Sequence, residues 1–598
     1  MTALAMTAAF AQVPKRVDKA DDLPRFSYAV EGDLEALVRD PKRFSVLAQQ
    51  VRRDIEGVLA GHDIAERATR RQLLGVLVQI DMLEGRYDEA LRRSALIQEL
   101  QEKPADKLLS GLSVRAIAAA VRKTGDRGSA AYAAEVGAGI ARELEPLPYA
   151  VVRNDVMRAK AGMETVGEAL VLGRVRNVLQ PVASRTGALS SDLAPGLISA
   201  RYSLEFTLPL KATLRDAYGH YLAAHQVDKP DIWTARDVNL PAGRDYAPVR
   251  IVIWDSGVDT NLFPGHLISE GDRPAMIAFD LYSRPSTQPL KPLSADVQAR
   301  LPSLQARGKG LSDLTSNIDS TEASEVKGLL SNLAPAQYKA VQEELRMVSV
   351  HSHGTHVAGI AMAGNPYAQV ANARIEFGHT LLPDPCPTAE LQERAAASFG
   401  AYADFIRKTG ARVVNMSWGG NLRSYEIELE QCNIGKDNAE RKALARRYFE
   451  MHLNALTAAI ASVPDVLFVT SAGNSGNDPT FNDAYPSGIV LPNLVSVGAV
   501  DKAGDEASFT SYGPTVLLHA NGYQVESFVP GGRRIAFSGT SMAAPQVTNL
   551  AAKMLAVKPS LKPAQVIELM RRTADRSEDG RRILIHPARA LAAVGYTQ

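Results

Sequence analysis

Along positions 34–225 apolar residues recur every third or fourth place, the spacing of helices that bury one face. The clearest stretch runs from 73 to 100. There Gly85-Arg86-Tyr87-Asp88-Glu89-Ala90-Leu91 reads as a turn and the start of a second helix, with Leu77 and Tyr87 at packing positions and Ala90 small enough for close approach. It is similar to one tetratricopeptide hairpin. With no second copy at a 34-residue period, an ordinary helical hairpin is the simpler reading. The pattern breaks at 237–248, where Leu240-Pro241-Ala242-Gly243 and Ala247-Pro248 punctuate the chain. Beyond this boundary the texture changes. Short, continuous apolar runs appear at 249–254, 413–416, 466–469 and 494–497. Such runs are strands covered on both faces, as in a parallel sheet. Helical patterns lie between them, notably at 388–409 and 436–461. Alternating strands and helices imply a doubly wound α/β domain. In that architecture, sites form at the carboxyl ends of the strands.

Composition narrows the picture. The chain has 598 residues, 45% of them apolar and 22% charged, enough to fold as globular domains. With 67 basic and 66 acidic residues the net charge is +1, so nothing points to binding nucleic acid by charge. Two cysteines cannot form a disulfide scaffold for a chain of this size. No apolar run is long enough for a transmembrane helix. Near the start, Ala9-Phe10-Ala11 before Gln12 has the small-x-small pattern of a signal-peptidase site, yet no Lys or Arg precedes the apolar stretch. A signal remnant over 1–11 and a plain Ala-rich terminus both stand. The first implies a secreted or periplasmic protein and the second allows a cytoplasmic one.

Three segments carry chemistry. Ile253-Trp254-Asp255-Ser256-Gly257-Val258 puts a carboxylate at a strand end. His351-Ser352-His353-Gly354-Thr355-His356 opens a small-residue helix, and Ser538-Gly539-Thr540-Ser541-Met542-Ala543-Ala544-Pro545 opens another. A serine hydroxyl is a weak nucleophile and needs an adjacent base. An imidazole can take its proton and return it to a leaving amine. A buried carboxylate holds the imidazole in one tautomer. Asp-Ser-Gly alone is a common turn, and a lone His-Gly-Thr-His is as easily structural. Gly-Thr-Ser-Met-Ala-Ala-Pro is far more specific. Together, and in the order Asp, His, Ser, the segments resemble the subtilisin-like serine peptidases, the subtilases.

The resemblance covers about 247–592. It implies an α/β fold, a subtilisin-like doubly wound parallel sheet, for a peptidase domain over 247–598; the periodicity adds a separate, mostly helical N-terminal domain over 1–246. It assigns Ser541 as nucleophile, His353 as base and Asp255 as orienter. Asn474, in Ala472-Gly473-Asn474-Ser475-Gly476, becomes the side-chain oxyanion donor beside the Ser541 N–H. Ser417-Trp418-Gly419-Gly420 becomes the segment that pairs with the substrate backbone, glycine leaving room for a peptide strand and Trp418 favouring apolar side chains. His351 and His356 are read as structural. The implied activity is that of a serine endopeptidase on protein or peptide substrates, with no cofactor. Structural calcium occurs in the family, but no acidic loop here assigns it, and no metal ligand is named.

The chain departs from the family in three places. Asp255 and His353 are 353 − 255 = 98 residues apart, so an insertion lies near 260–347, its 288–306 part rich in proline and polar residues and its 321–347 part reading as two helices around Pro335. A second insertion lies near 421–462. Both would fringe the cleft or stand as solvated decoration. Cys386 and Cys432 would pair in an exported protein, or stay free. Residues 1–246 would be a pro-segment or a partner-binding domain. In the second case a rival function is open: a catalytically silent subtilase-fold protein that captures a protein partner.

Overall fold

The computed structural model describes residues 14–225 and 227–597; the candidate signal sequence lies outside them. Nine strands build the central sheet. They are β1 (Val249–Asp255), β2 (Met276–Phe279), β3 (Ala368–Ile375), β4 (Val413–Met416), β5 (Leu467–Ser471), β6 (Leu494–Val500), β7 (Val516–Asn521), β8 (Asp575–Arg576) and β9 (Ile583–Leu584). The spatial order is β8-β9-β7-β6-β5-β4-β1-β3-β2, and every pair is parallel except β8 with β9. This is the doubly wound α/β sheet expected from the four apolar runs. The chain lays β3 on one side of β1 and then returns to lay β4 on the other. That reversal opens a crevice at the carboxyl ends of β1 and β4.

Alternation along β1 divides two cores. Ile251 and Ile253 face one side, packed with Val357, Ala358 and Ala361 and with Met542, Val547 and Leu550. Val252 and Trp254 face the other, with Phe399, Tyr402, Ile406, Phe449 and Ile460. Helices therefore cover both faces, and the central strands are mostly apolar for that reason.

The N-terminal region is mostly helical. Helices α1 (Arg67–Leu83) and α2 (Tyr87–Leu100) form the hairpin read at 73–100, with Gly85 at φ 72° in its turn and Ala90 fully buried beneath α1. Helix α3 (Tyr149–Thr165) packs on α4 (Leu208–Ala224). The region is tied to the sheet domain at many points. Lys103 is buried and donates to the carbonyls of Ala507, Ser508 and Thr510 at 3.2, 2.6 and 2.8 Å. Arg25 makes a two-pronged pair with Glu426 at 2.8 and 2.7 Å. The stretch 229–247 already runs along the sheet domain: Lys229 pairs with Asp501, and the Leu240 and Ala247 amides donate to Gly364 and Ala556.

The first insertion contains helices α5 (Ala295–Thr315), α6 (Thr321–Ser331) and the first half of α7 (Tyr338–Met362). Two expectations change here. The proline- and polar-rich reading of 288–306 gives way to α5, capped by the Ser294 hydroxyl and carrying Pro302 inside it. The His353 motif does not open a helix. Val341, Met347 and Val348 are buried on the same helix, so α7 runs without a break into the motif and places His353 in its middle. The remaining helices that matter are α8 (Ala389–Thr409), α9 (Asn438–Ala461) and α10 (Thr540–Val557). Cys386 and Cys432, left open by the sequence, form a disulfide with Cα atoms 5.9 Å apart.

Candidate active site

Strand β1 delivers Asp255 to the crevice with no solvent exposure. Its Oδ1 accepts from the Ser256 amide and from His353 Nδ1, both at 2.7 Å. Helix α7 approaches closely enough for this because residue 354 is glycine. A Cβ there would lie 2.3 Å from the Gly257 carbonyl oxygen, a backbone atom that cannot yield. The Ser256 hydroxyl accepts from the Gly354 amide at 3.0 Å and locks the approach. Burial pushes the His353 pKa down, but the charge of Asp255 and its hydrogen bond push it further up, so the net shift is upward. With Nδ1–H committed to Asp255, Nε2 is the free base.

Ser541 sits at the start of α10. Its hydroxyl donates to the Ser417 carbonyl at 3.1 Å, while the Ser417 hydroxyl donates to the Ser541 carbonyl at 3.0 Å. A chain of side chains fixes this contact. Thr548 donates to Asn415 at 2.9 Å, and Asn415 donates to Ser417 at 2.9 Å. In this rotamer Ser541 makes no hydrogen bond to His353. Both side chains line one cavity, so the hydroxyl must turn away from Ser417 to meet the imidazole. Resting sites of this kind are often loose before substrate arrives.

Asn474 follows β5. Its Oδ1 accepts from the Thr540 amide at 2.9 Å and from the Thr540 hydroxyl at 3.0 Å. A backbone N–H can only donate, so the atom facing it is oxygen, and Nδ2 is left as a donor. A Cβ built on Gly539 would lie 3.5 Å from that Nδ2 and 3.7 Å from the Ser541 nitrogen, so the two donors flank one spot. The structure thus brings together Asp255, His353, Ser541 and Asn474, from four separate segments.

Two cavities meet at Ser541 and Asn474. One, of about 310 Å³, is lined by Ser417, Trp418, Gly419, Gly420, Asn421, Asn477, Asn482 and Ser487. A Cβ at Gly419 would meet the Tyr485 carbonyl oxygen at 2.8 Å, and one at Gly420 the Tyr485 hydroxyl at 2.9 Å, because Gly420 already pairs with Tyr485 in a short antiparallel ladder. The Trp418 indole donates to the Trp254 carbonyl at 2.7 Å and packs against Trp254 and Phe399, so core packing explains its ring. The second cavity, of about 580 Å³, also holds His353 and is walled by the inserted helices.

Residues 316–588 match the model of the subtilase family, a stretch that includes His353, Asn474 and Ser541 and begins after Asp255. The thermostable alkaline protease of Halalkalibacterium halodurans is 30% identical over 227 residues, 38% of this chain and 52% of that protein. Over this stretch the chain is similar to the subtilase family. Subtilisin E of Bacillus subtilis is 28% identical over 233 residues, covering 37% of this chain and 50% of that protein. The chain thus spans about half the length of these curated relatives. Among solved structures, a cold-adapted subtilisin-like serine proteinase is similar over 59% of this chain and 93% of its own, with 21% identity and a TM-score of 0.32. The PatG macrocyclase domain covers 58% of this chain and 92% of its own, with 17% identity and a TM-score of 0.37.

The other two motif histidines are buried on the helix that carries His353. His356 is stacked on Phe537 with its Nε2 2.8 Å from the Ile535 carbonyl oxygen, and burial lowers its pKa to about 4. His351 is buried, and its pKa is likewise pushed down to about 4. Several residues of the site had no separate signal in the sequence. Thr540 lay inside a quoted motif without a role, and Asn415 and Thr548 act only through the hydrogen-bond chain.

Proposed function

We propose that the protein is a serine endopeptidase that hydrolyses internal peptide bonds through an acyl-enzyme on Ser541. In this reading His353 Nε2 takes the hydroxyl proton as Oγ attacks the scissile carbonyl. The carbonyl oxygen becomes an oxyanion between Asn474 Nδ2 and the Ser541 N–H. Asp255 stabilises the imidazolium, which then gives its proton to the leaving amine. Water activated by His353 releases the acyl half. The observation that carries the reading is the 2.7 Å contact of His353 with a fully buried Asp255 in the cavity that holds Ser541. The test is labelling with a fluorophosphonate probe. Ser541 is the expected adduct site, and Ser541→Ala abolishes it. An active, folded sample that fails to label refutes the reading.

The Cys386–Cys432 bridge supports a protein that matures in an oxidising compartment, since such bonds rarely persist in a reducing one. Among the described residues no helix is long and apolar enough to cross a membrane. Thiol counting on the native protein tests the first point, two free thiols arguing against export.

A further inference from the structure

The larger cavity at Ser541 shows which part of a substrate this enzyme grips. His353 lines it and does not line the smaller one. The imidazole must protonate the leaving nitrogen, so the larger cavity holds the leaving side of the substrate. Its walls are mostly apolar and come largely from outside the sheet. Helix α5 contributes Leu304 and Leu311, α7 contributes Val348, and α3 of the N-terminal region contributes Arg158. Helices α5 and α3 pack against each other, which bounds the cavity on that side.

Arg158 is the one residue in this lining with a permanent charge. Its guanidinium carbon lies 5.4 Å from the centre of the Phe509 ring. Among the described residues it makes no ion pair and no hydrogen bond. Asp501, near α3, is held by the Lys229 ammonium and the Asn154 amide, and Asp155, one turn before Arg158, makes no ion pair with it. A cation against an apolar wall gains most from an anion brought to it. The planar fork of arginine fits a carboxylate with two parallel hydrogen bonds.

We infer that Arg158 binds the free α-carboxylate of the peptide substrate, so that the enzyme cuts a bond only a few residues before the C-terminus. This rests on the assignment of Ser541 and His353 above. The bond is still internal, but the helices limit how much chain can follow it. Arg158 is then a specificity determinant supplied by the N-terminal region to a reaction centre in the other half of the chain.

The test uses the full-length enzyme and a peptide of one sequence in three forms: C-terminal acid, C-terminal amide, and an amide with a glutamate placed near its end. Products are identified by mass spectrometry, and fluorophosphonate labelling is run on the same sample. The expected result is labelling at Ser541, release of short C-terminal fragments, and kcat/KM at least about tenfold higher for the acid than for the amide. Arg158→Met should bring the acid-to-amide ratio close to one. Arg158→Lys should give an intermediate ratio, as the charge is kept without the fork. Thermal melts confirm that each variant is folded. Labelling with equal cleavage of acid and amide overturns the inference while the peptidase reading stands. So does a ratio in Arg158→Met equal to that of wild type. A preference for the glutamyl amide over the acid means that a side-chain carboxylate is read instead, and also overturns it. Absence of both labelling and cleavage overturns the peptidase reading and this inference with it.

Discussion

Asn474→Ala tests the oxyanion assignment with a magnitude the structure fixes in advance. The amide is not free to turn. Its oxygen accepts two hydrogen bonds from Thr540, at 2.9 and 3.0 Å, which points Nδ2 to the side where the Ser541 N–H also lies. Removing one preorganised donor of this kind costs about 2.7–4 kcal/mol in a subtilisin-type site, or about 10²–10³ in kcat. KM should change little, because the donor acts on charge that develops only in the transition state. The substitution also strips Thr540 of its acceptor, at about 1 kcal/mol per hydrogen bond, which should lower the denaturation midpoint slightly without unfolding the protein. Asn474→Asp separates the two effects. It keeps the acceptor for Thr540 but replaces the donor with a negative charge, so stability should return while kcat falls at least as far. Steady-state kinetics on a chromogenic peptide, with melts on the same preparations, read both quantities. If kcat falls less than tenfold in both variants, Asn474 is not the donor.

Two further perturbations bear on the base and on the join between the halves. In Asp255→Asn the imidazole loses its tautomer and its counter-charge, so kcat/KM should fall by about 10⁴. The wild-type rate should decline as pH drops through a limb above about 6.5, because neutral His353 is the active form and Asp255 raises its pKa; the residual limb of the variant should lie lower, and an unmoved limb would mean another group titrates. Lys103→Met leaves three buried carbonyls without their shared donor, and a loss of about 2–4 kcal/mol in unfolding free energy is expected from chemical denaturation. A loss below about 0.5 kcal/mol would show that the contact contributes nothing to holding the halves together.

The candidate reacting groups were legible because each sits in a short motif whose backbone demands restrict the sequence. Asp255 ends an apolar strand and is followed by the serine that locks α7. Gly354 is needed for a close approach next to His353. Thr540 and Ser541 begin a helix. Each requirement is local, so each leaves a local trace. The cavity walls are not local. Arg158 lies over Phe509, 509 − 158 = 351 positions later in the chain, and nothing in either neighbourhood signals the other. Helix α5 was hidden for a different reason. Its Pro302 and its two glycines at 308 and 310 argue against a helix by propensity, and packing overrides them: Leu301, Leu304 and Leu314 are buried, and a Cβ at Gly310 would meet the Glu322 carbonyl oxygen at 2.2 Å. The small residues of the His353 motif read as a helix start, but the small size of Gly354 serves the approach to β1 and the helix runs through it.

The role of the N-terminal region follows from where its contacts fall. A segment that is removed on maturation should leave the cleft complete behind it. Here the region builds part of the cleft on both sides of Ser541. On the acyl side, Glu66 at the start of α1 accepts from the Asp478 amide at 2.7 Å and from Asn482 Nδ2 at 2.9 Å, and Asn482 lines the smaller cavity. On the leaving side, Arg158 lines the larger one. Between them Lys103 caps the 507–510 turn, which carries Phe509. Detaching the region would expose three carbonyls at that turn, free the 478–482 loop and open the leaving side to solvent. The active enzyme should therefore retain α1 to α4. Intact mass and N-terminal sequencing of the native, fluorophosphonate-reactive protein give the answer directly, and a fully active species that begins within 237–248 would defeat the argument.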